Sequence, residues 1–243
     1  MRDRWPFRVA GETGVIAPGA RRSGAADGAM TILRLDHLTI IAPSLAEGVS
    51  HVRECLDIDI PFGGAHREMG THNHLLRLGN DVFLEVIAID PAAPAPSMAR
   101  WFGLDDARSV RSAWSEGLRL RAWVASTDDL GAVLERHGGL LGRKTRVSRG
   151  DRTWLFAVRP DGSLPAGGAA PCVIDWEGRG SPARAMPDLG ARLASFTIEH
   201  PNPVEVDNLY AELGIIGGPD VRKGLRIRYR ATIDTPAGLK TLA

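Results

Sequence analysis

A few carboxylates and imidazoles stand in strand-like segments where packing alone does not explain them. Glu85 lies in VFLEVIAI, between Val82, Phe83, Leu84, Val86, Ile87 and Ile89. With both strand faces apolar, its carboxylate must either escape to solvent at an edge or find a partner. A metal ion or a protonated role would satisfy it. His37 lies in LDHLTIIAP and shares a strand face with Thr39 and Ile41. An imidazole there is either a ligand to a metal or a core histidine bonded to backbone. Asp175 sits in CVIDW much as Glu85 sits in FLEVI, and reads equally as a catalytic carboxylate or as an acid closing a strand. The segment GGAHREMGTHNHL adds His66, His72 and His74. Histidines two apart on a strand share a face, so His72 and His74 could chelate an ion together, while Thr71, Asn73 and Leu75 form the rival face. Trp101 and Phe102 follow a Pro-rich stretch and can either roof a cleft or pack a core.

The elements that would position these residues recur along the chain. LDHLTIIAP runs into a helix whose Ser44 and Glu47 have capping-box spacing and whose Leu45, Val49, Val52 and Leu56 form one stripe. LRLRAWVAS leads through Thr127 and Asp128 into a helix with Leu130, Val133 and Leu134, predicted to stop at Gly138 and Gly139. SFTIEHP precedes a third helix with Asn202 as cap, Pro203 in the first turn, and Val204, Leu209 and Leu213 facing inward. Strand-like segments follow each helix. Three modules are thus predicted, at residues 31–90, 118–178 and 195–243, joined by connectors at 91–117 and 179–194. Residues 1–30 show no sustained period and are predicted to be a disordered tail, with Met30 as the natural start. Gly63 and Gly64 are predicted to form a turn at the rim of the first module.

Composition narrows the function. Thirty Lys plus Arg against 29 Asp plus Glu leave a net charge of +1, with no electrostatic footprint for nucleic acid or an anionic membrane. Small-molecule chemistry is the better prior. No apolar run is long enough to span a membrane and no secretory signal is evident, which predicts a cytoplasmic protein. Cys55 and Cys172 match no zinc spacing and are predicted to be reduced, buried thiols, neither of them a nucleophile. No phosphate-binding glycine loop, nucleophile elbow or HExxH helix is present.

The segments LDHLTIIAPSLAEGV, GGAHREMGTHNHLLRLG, FLEVIAIDP, RWFGLDD and the strand ending in VIDW resemble the glyoxalase-like domain family of the vicinal oxygen chelate superfamily, which includes glyoxalase I and the extradiol dioxygenases. The resemblance runs from about Leu35 to about Leu213. It implies an α+β fold of repeated βαβββ modules, whose curved mixed or antiparallel sheet surrounds a cleft with helices outside. It also implies a divalent metal, with His37 at the first-strand ligand position and Glu85 at the last-strand position. His66, Gly70, Thr71 and Asn73 match the family's pocket pattern, and Trp101 joins them as a substrate-binding residue. Asp175 would be the pseudo-symmetric carboxylate. The ligand pattern fails in the later modules, where Ala122 and Ser195 align with His37, and neither side chain can hold a cation as imidazole does. Two functions follow: a divalent-metal-dependent lyase or isomerase acting on a small carbonyl or vicinal-oxygen compound, or a metal-free protein that binds or sequesters a small molecule in the same cleft. The unpaired third module would cover a sheet edge or build a homodimer.

Overall fold

The computed structural model describes residues 31–243. The predicted disordered tail and the start at Met30 lie outside the described residues. The chain opens with β1 (Leu33–Ile41), α1 (Leu45–Leu56), β2 (Phe62–His66), β3 (Thr71–Arg77) and β4 (Phe83–Ile89). After α2 (Ala107–Ser115) the order repeats as β5 (Leu120–Ser126), α3 (Leu130–Leu141), β6 (Arg143–Arg149), β7 (Arg152–Val158) and β8 (Cys172–Asp175). These strands form one mixed sheet in the order β2-β3-β4-β1-β5-β8-β7-β6. Within each half the first and last strands run parallel, β1 with β4 and β5 with β8, while β1 and β5 meet antiparallel at the centre. The two ends of the sheet curve toward each other until Ser148 of β6 donates to Glu68, just past β2, through its backbone N–H (3.2 Å) and its hydroxyl (2.6 Å).

Strand alternation gives this sheet two different faces. On β4, Leu84 and Val86 join the core beneath the helices, while Phe83 and Ile87 join a second, concave core with Trp101, Phe102, Trp154, Phe156 and Trp176. Glu85 therefore falls on the concave side. On β1, Leu38 and Ile40 face the helices and Ile41 the concavity, so His37 and Thr39 share the face of Glu85.

Local signals set the helices, with corrections at their ends. The Ser44 hydroxyl caps α1, accepting from Glu47 N–H (3.3 Å) and donating to Glu47 Oε2 (2.7 Å). Asp129, not Thr127 or Asp128, caps α3, accepting from Ala132 N–H at 2.9 Å. This helix continues past Gly138 and Gly139, which leave only a kink at His137, and stops at Gly142. Gly142 has φ 107°, and a Cβ there would collide with the Val158 backbone, so glycine is required by conformation and by space. In α4 (Pro203–Glu212) the predicted inward Val204 is 65% exposed. The buried stripe is instead Val206, Tyr210 and Leu213, a helical spacing that turns Val204 away from it. The connector at 91–117 contains the unpredicted α2, capped by Asp106, whose buried residues are only Val110 and Ala113 and so give little apolar signal.

The last part of the chain adds β9 (Arg192–His200), β10 (Ile215–Ile216), β11 (Asp220–Lys223), β12 (Arg228–Thr235) and β13 (Gly238–Leu242). Four of these make a separate sheet in the order β11-β9-β12-β13, and β10 pairs parallel with β1. This sheet packs on the outer face of the curved one rather than closing its edge. Trp123 of β5 points outward against Phe196 and Tyr210, at ring-centroid distances of 6.3 and 5.8 Å. Tyr229 and Tyr210 donate to the carbonyls of Gly168 (2.6 Å) and Ala169 (2.8 Å).

Candidate functional site

The concave face carries a chain of buried polar side chains. A register shift between Leu35 and His37 marks a bulge in β1, and it lets the successive residues Asp36 and His37 contact the same face. Asp36 Oδ1 lies 2.6 Å from His37 Nδ1, and Asp36 Oδ2 accepts from Trp176 Nε1 at 2.8 Å. The imidazole stacks on Phe83 with ring centroids 4.4 Å apart, which leaves Nε2 aimed at Glu85 Oε2, 3.5 Å away. Asn73 Nδ2 donates to Glu85 Oε1 at 2.6 Å and lies 3.4 Å from His66 Nε2. His66 Nδ1 lies 3.0 Å from Thr71 Oγ1. These bonds suit a neutral His66 protonated on Nδ1, with its Nε2 lone pair facing Asn73.

Electrostatics follow from the geometry. Burial opposes the charge on His37, but hydrogen bonds and Coulombic attraction to Asp36 and Glu85 outweigh it and raise its pKa to about 9. Burial likewise opposes ionisation of Glu85, and the His37 contact, with help from Asn73, overcomes it and brings the pKa down to about 2. His66 has no direct ion pair, so desolvation prevails and lowers it to about 4. At neutral pH the network holds a His37 imidazolium, a Glu85 carboxylate and a neutral His66.

Aromatic rings enclose it. Trp101 and Trp154 stand edge-on to His66, with centroids at 5.0 and 5.8 Å, and Trp101 also meets Phe156 at 5.0 Å. Four buried polar atoms among these residues have no hydrogen-bond partner: Thr39 Oγ1, Asn73 Oδ1, Trp101 Nε1 and Trp154 Nε1.

The structure brings together His37, Glu85, His66, Thr71, Asn73 and Trp101, but not Asp175. Inward positions on β8 belong to Cys172 and Ile174. Asp175 projects to the helix side, where Oδ2 accepts from the first backbone N–H of α3 at Leu130 (3.2 Å) and Oδ1 from Glu177 N–H (2.8 Å). The alternation that turns Glu85 inward turns Asp175 outward, so its catalytic expectation gives way to helix capping. His72 and His74 point away from the network to separate partners, Asp90 at 3.9 Å and the Ile60 carbonyl at 2.7 Å. Gly63 and Gly64 lie inside β2 rather than in a rim turn. Sequence reasoning missed Asp36, Trp154 and Trp176. The Asp-His pair in an apolar strand was the available signal for Asp36, whereas the two indoles reach the site only through strand pairing.

The donor set falls short of the divalent metal implied by the resemblance. His37 Nε2 and Glu85 provide two donors, and Val124, the register partner of His37 on β5, provides none. Cys172 is a buried thiol pushed up to about 12, first by desolvation and then by the Glu85 charge. Among the described residues no group of three or more His, Cys, Asp or Glu is placed to hold an ion. Catalytic zinc sites use about three protein ligands, so these residues do not fit a divalent centre.

A nearly closed eight-stranded sheet, built from two βαβββ halves with a polar network on its concave face, defines the vicinal oxygen chelate fold. Residues 35–214 match the glyoxalase-like domain family, and the chain belongs to that family. Among solved structures, a hypothetical protein from Staphylococcus aureus has 14% identity and TM-score 0.55, with 81% of this chain and 88% of that one covered. Methylmalonyl-CoA epimerase from Mycobacterium tuberculosis has 16% identity and TM-score 0.36, with coverages of 58% and 84%. A Streptomyces coelicolor methylmalonyl-CoA epimerase in complex with 2-nitronate-propionyl-CoA has 16% identity and TM-score 0.37, with coverages of 62% and 99%. The first of these likenesses shows a shared fold. No match appears among curated protein sequences.

Proposed function

We propose that the protein binds a small oxygenated organic molecule on the concave face, without a metal ion, using His66, Asn73 and Glu85 as a polar floor and Trp101 and Trp154 as walls. The observation that carries this reading is the set of unpartnered atoms Thr39 Oγ1, Asn73 Oδ1, Trp101 Nε1 and Trp154 Nε1. Leaving a buried donor or acceptor unsatisfied costs about 1–3 kcal/mol, and several such atoms around one network suit a bound partner. The two indole N–H groups match carbonyl or carboxylate oxygens, and the two oxygens can accept from hydroxyls. Ligand-observed NMR with small 2-oxo, 2-hydroxy and catechol compounds tests the reading. Binding should weaken roughly fivefold or more in Trp101→Phe and Trp154→Phe, each losing one N–H at about 1 kcal/mol. If no compound binds, or if both variants bind like the native chain, the concave face is not the site.

A second reading, a lyase or isomerase, is supported by the dependence of Glu85 on His37. Burial is the largest influence on this carboxylate and acts to raise its pKa. A carbonyl compound inserted between Glu85 and His37 would remove the pairing that keeps it low, and desolvation would then move it toward the range of a useful base. Glu85 would take a proton from carbon beside the carbonyl, and the His37 imidazolium would hydrogen-bond the developing enolate oxygen. Deuterium incorporation at that carbon in heavy water, lost in Glu85→Gln, separates catalysis from binding alone.

A further inference from the structure

The two ends of the curved sheet approach at β2 and β6 without pairing as strands. Beside the Glu68–Ser148 clamp lies an open cleft of about 670 Å³, whose lining includes Gly63, Gly64, Arg67, the single acid Asp151, Arg149 and Arg152. The last two arginines are held differently. Arg152 lies over Trp176, 5.5 Å from the ring centroid, and donates to the Gly180 carbonyl at 3.0 Å. Arg149 lies over Trp154, 5.9 Å from its centroid, and no hydrogen bond or ion pair among the described residues engages its guanidinium. Desolvation is the larger influence on Arg149 and lowers its pKa, with the Glu85 charge acting in the opposite sense. The Arg149 nitrogens are not among the buried polar atoms left without a partner, and the residue lines the open cleft, so the guanidinium is free to take an anion from solvent.

Two glycines tie this cleft to the buried network. Gly64 has φ 140°, and a Cβ there would press on the Arg149 stem at 2.7 Å. A larger residue would push that side chain off the strand. A Cβ on Gly63 would collide with Asn73 Oδ1 and Leu75, so the strand passes directly against an Asn73 oxygen that has no partner. Trp154 completes the link, with Arg149 over its face and His66 at its edge.

We propose that the molecule bound on the concave face carries a carboxylate, or another oxyanion of similar size, which Arg149 grips at this seam while the remainder lies along Trp154 toward His66. This rests on the reading of the concave face as the binding site. The planar guanidinium offers a two-pronged donor that fits a carboxylate, and it sits over the Trp154 ring at 5.9 Å from the centroid. The substrate class narrows from oxygenated compounds in general to small anionic ones, such as oxo acids.

The test uses the full chain with isotope-labelled arginine and histidine, followed by NMR. Glyoxylate is the probe because it joins a carboxylate to a carbonyl, glycolaldehyde is an uncharged counterpart, and inorganic phosphate distinguishes a general oxyanion site from a carboxylate site. Glyoxylate should shift the Arg149 Nε–H and His66 signals saturably, and glycolaldehyde should not shift Arg149. Arg149→Gln should weaken glyoxylate binding roughly tenfold to a hundredfold, the range for losing a hydrogen bond to a charged group. Arg149→Lys, which keeps the charge and tolerates the same packing, should fall between. A phosphate response equal to that of glyoxylate supports an oxyanion site, and a response to glyoxylate alone assigns carboxylate. Equal responses to glyoxylate and glycolaldehyde, no saturable shift at Arg149, or unchanged binding in both variants would overturn the proposal. A shift at Arg149 with His66 silent would leave an anion site standing but remove the concave-face reading; a shift at His66 with Arg149 silent would do the reverse.

Discussion

His37 is held ionised first by Asp36 and then by Glu85, and Glu85 is held ionised chiefly by His37. His37 is raised to about 9 and Glu85 lowered to about 2, and the signs fix how stability depends on pH. The His37 contribution is fully present below its unfolded pKa of about 6.5 and is lost as pH rises toward 9. The Glu85 contribution is present above about 4.5 and is lost as pH falls toward 2. His66, lowered to about 4, stabilises the fold above 6.5 and withdraws that contribution as pH falls toward 4. Stability should therefore peak near pH 6.5 and decline on both sides, as measured by denaturant unfolding across pH. The alkaline decline should be on the order of 3 kcal/mol and should disappear in His37→Gln; a slope unchanged in that variant would show the pair to be uncoupled. At this scale a Glu in an apolar strand is conspicuous in the sequence, whereas its nearness to His37 was an expectation from the family resemblance. For Asp36 the Asp-His pair was only a hint, because strict alternation sends the neighbour of His37 to the opposite face, and only the bulge brings it back.

Helices were more legible at their beginnings than at their ends. Ser44 reads as a start because its capping chemistry is local, and Asn202-Pro203 marks the start of α4 although the Asn202 side chain donates to Glu205 and caps no backbone N–H. The end of α3 depends on tertiary contact. Gly138 and Gly139 are the obvious stop signals, yet a Cβ at either meets open space, and neither has positive φ. Gly142 stops the helix because it passes against the Val158 backbone at φ 107°, a constraint set by β7. Opposite outcomes are expected from the same substitution. Gly138→Ala should stabilise the protein by up to about 1 kcal/mol, from better helix propensity and a less flexible unfolded chain. Gly142→Ala should destabilise it by more than about 1 kcal/mol, because alanine tolerates neither the dihedral nor the contact. Thermal melts of the two variants check the pair, and equal shifts of the same sign would refute the account.

The repeat of strand, helix and strands carried the curved sheet from pattern to architecture, but it could not say where the third module goes, since strand pairing between distant segments leaves no local trace. Trp123 decides it. A large apolar side chain on the outward face of a central strand needs a cover, and Phe196, Tyr210 and the sheet behind them supply one. One apolar core thus runs from Val52 and Leu56 of α1 through Trp123 to Ile233 and Leu242. β10, on the same module, adds a strand alongside β1, the strand that carries His37. Shared burial of this kind predicts cooperativity across the whole fold. Near-ultraviolet and far-ultraviolet circular dichroism of the full chain should report one coincident unfolding transition. Truncation after Gly190 would expose Trp123 and the outer residues of β1 and β5 together, giving a chain that binds a hydrophobic dye and loses near-ultraviolet signal at temperatures where the full chain is folded. A truncated chain that kept a sharp transition and the His37–Glu85 signature in its histidine NMR spectrum would show instead that the curved sheet stands alone, with the last module an attachment rather than part of the core.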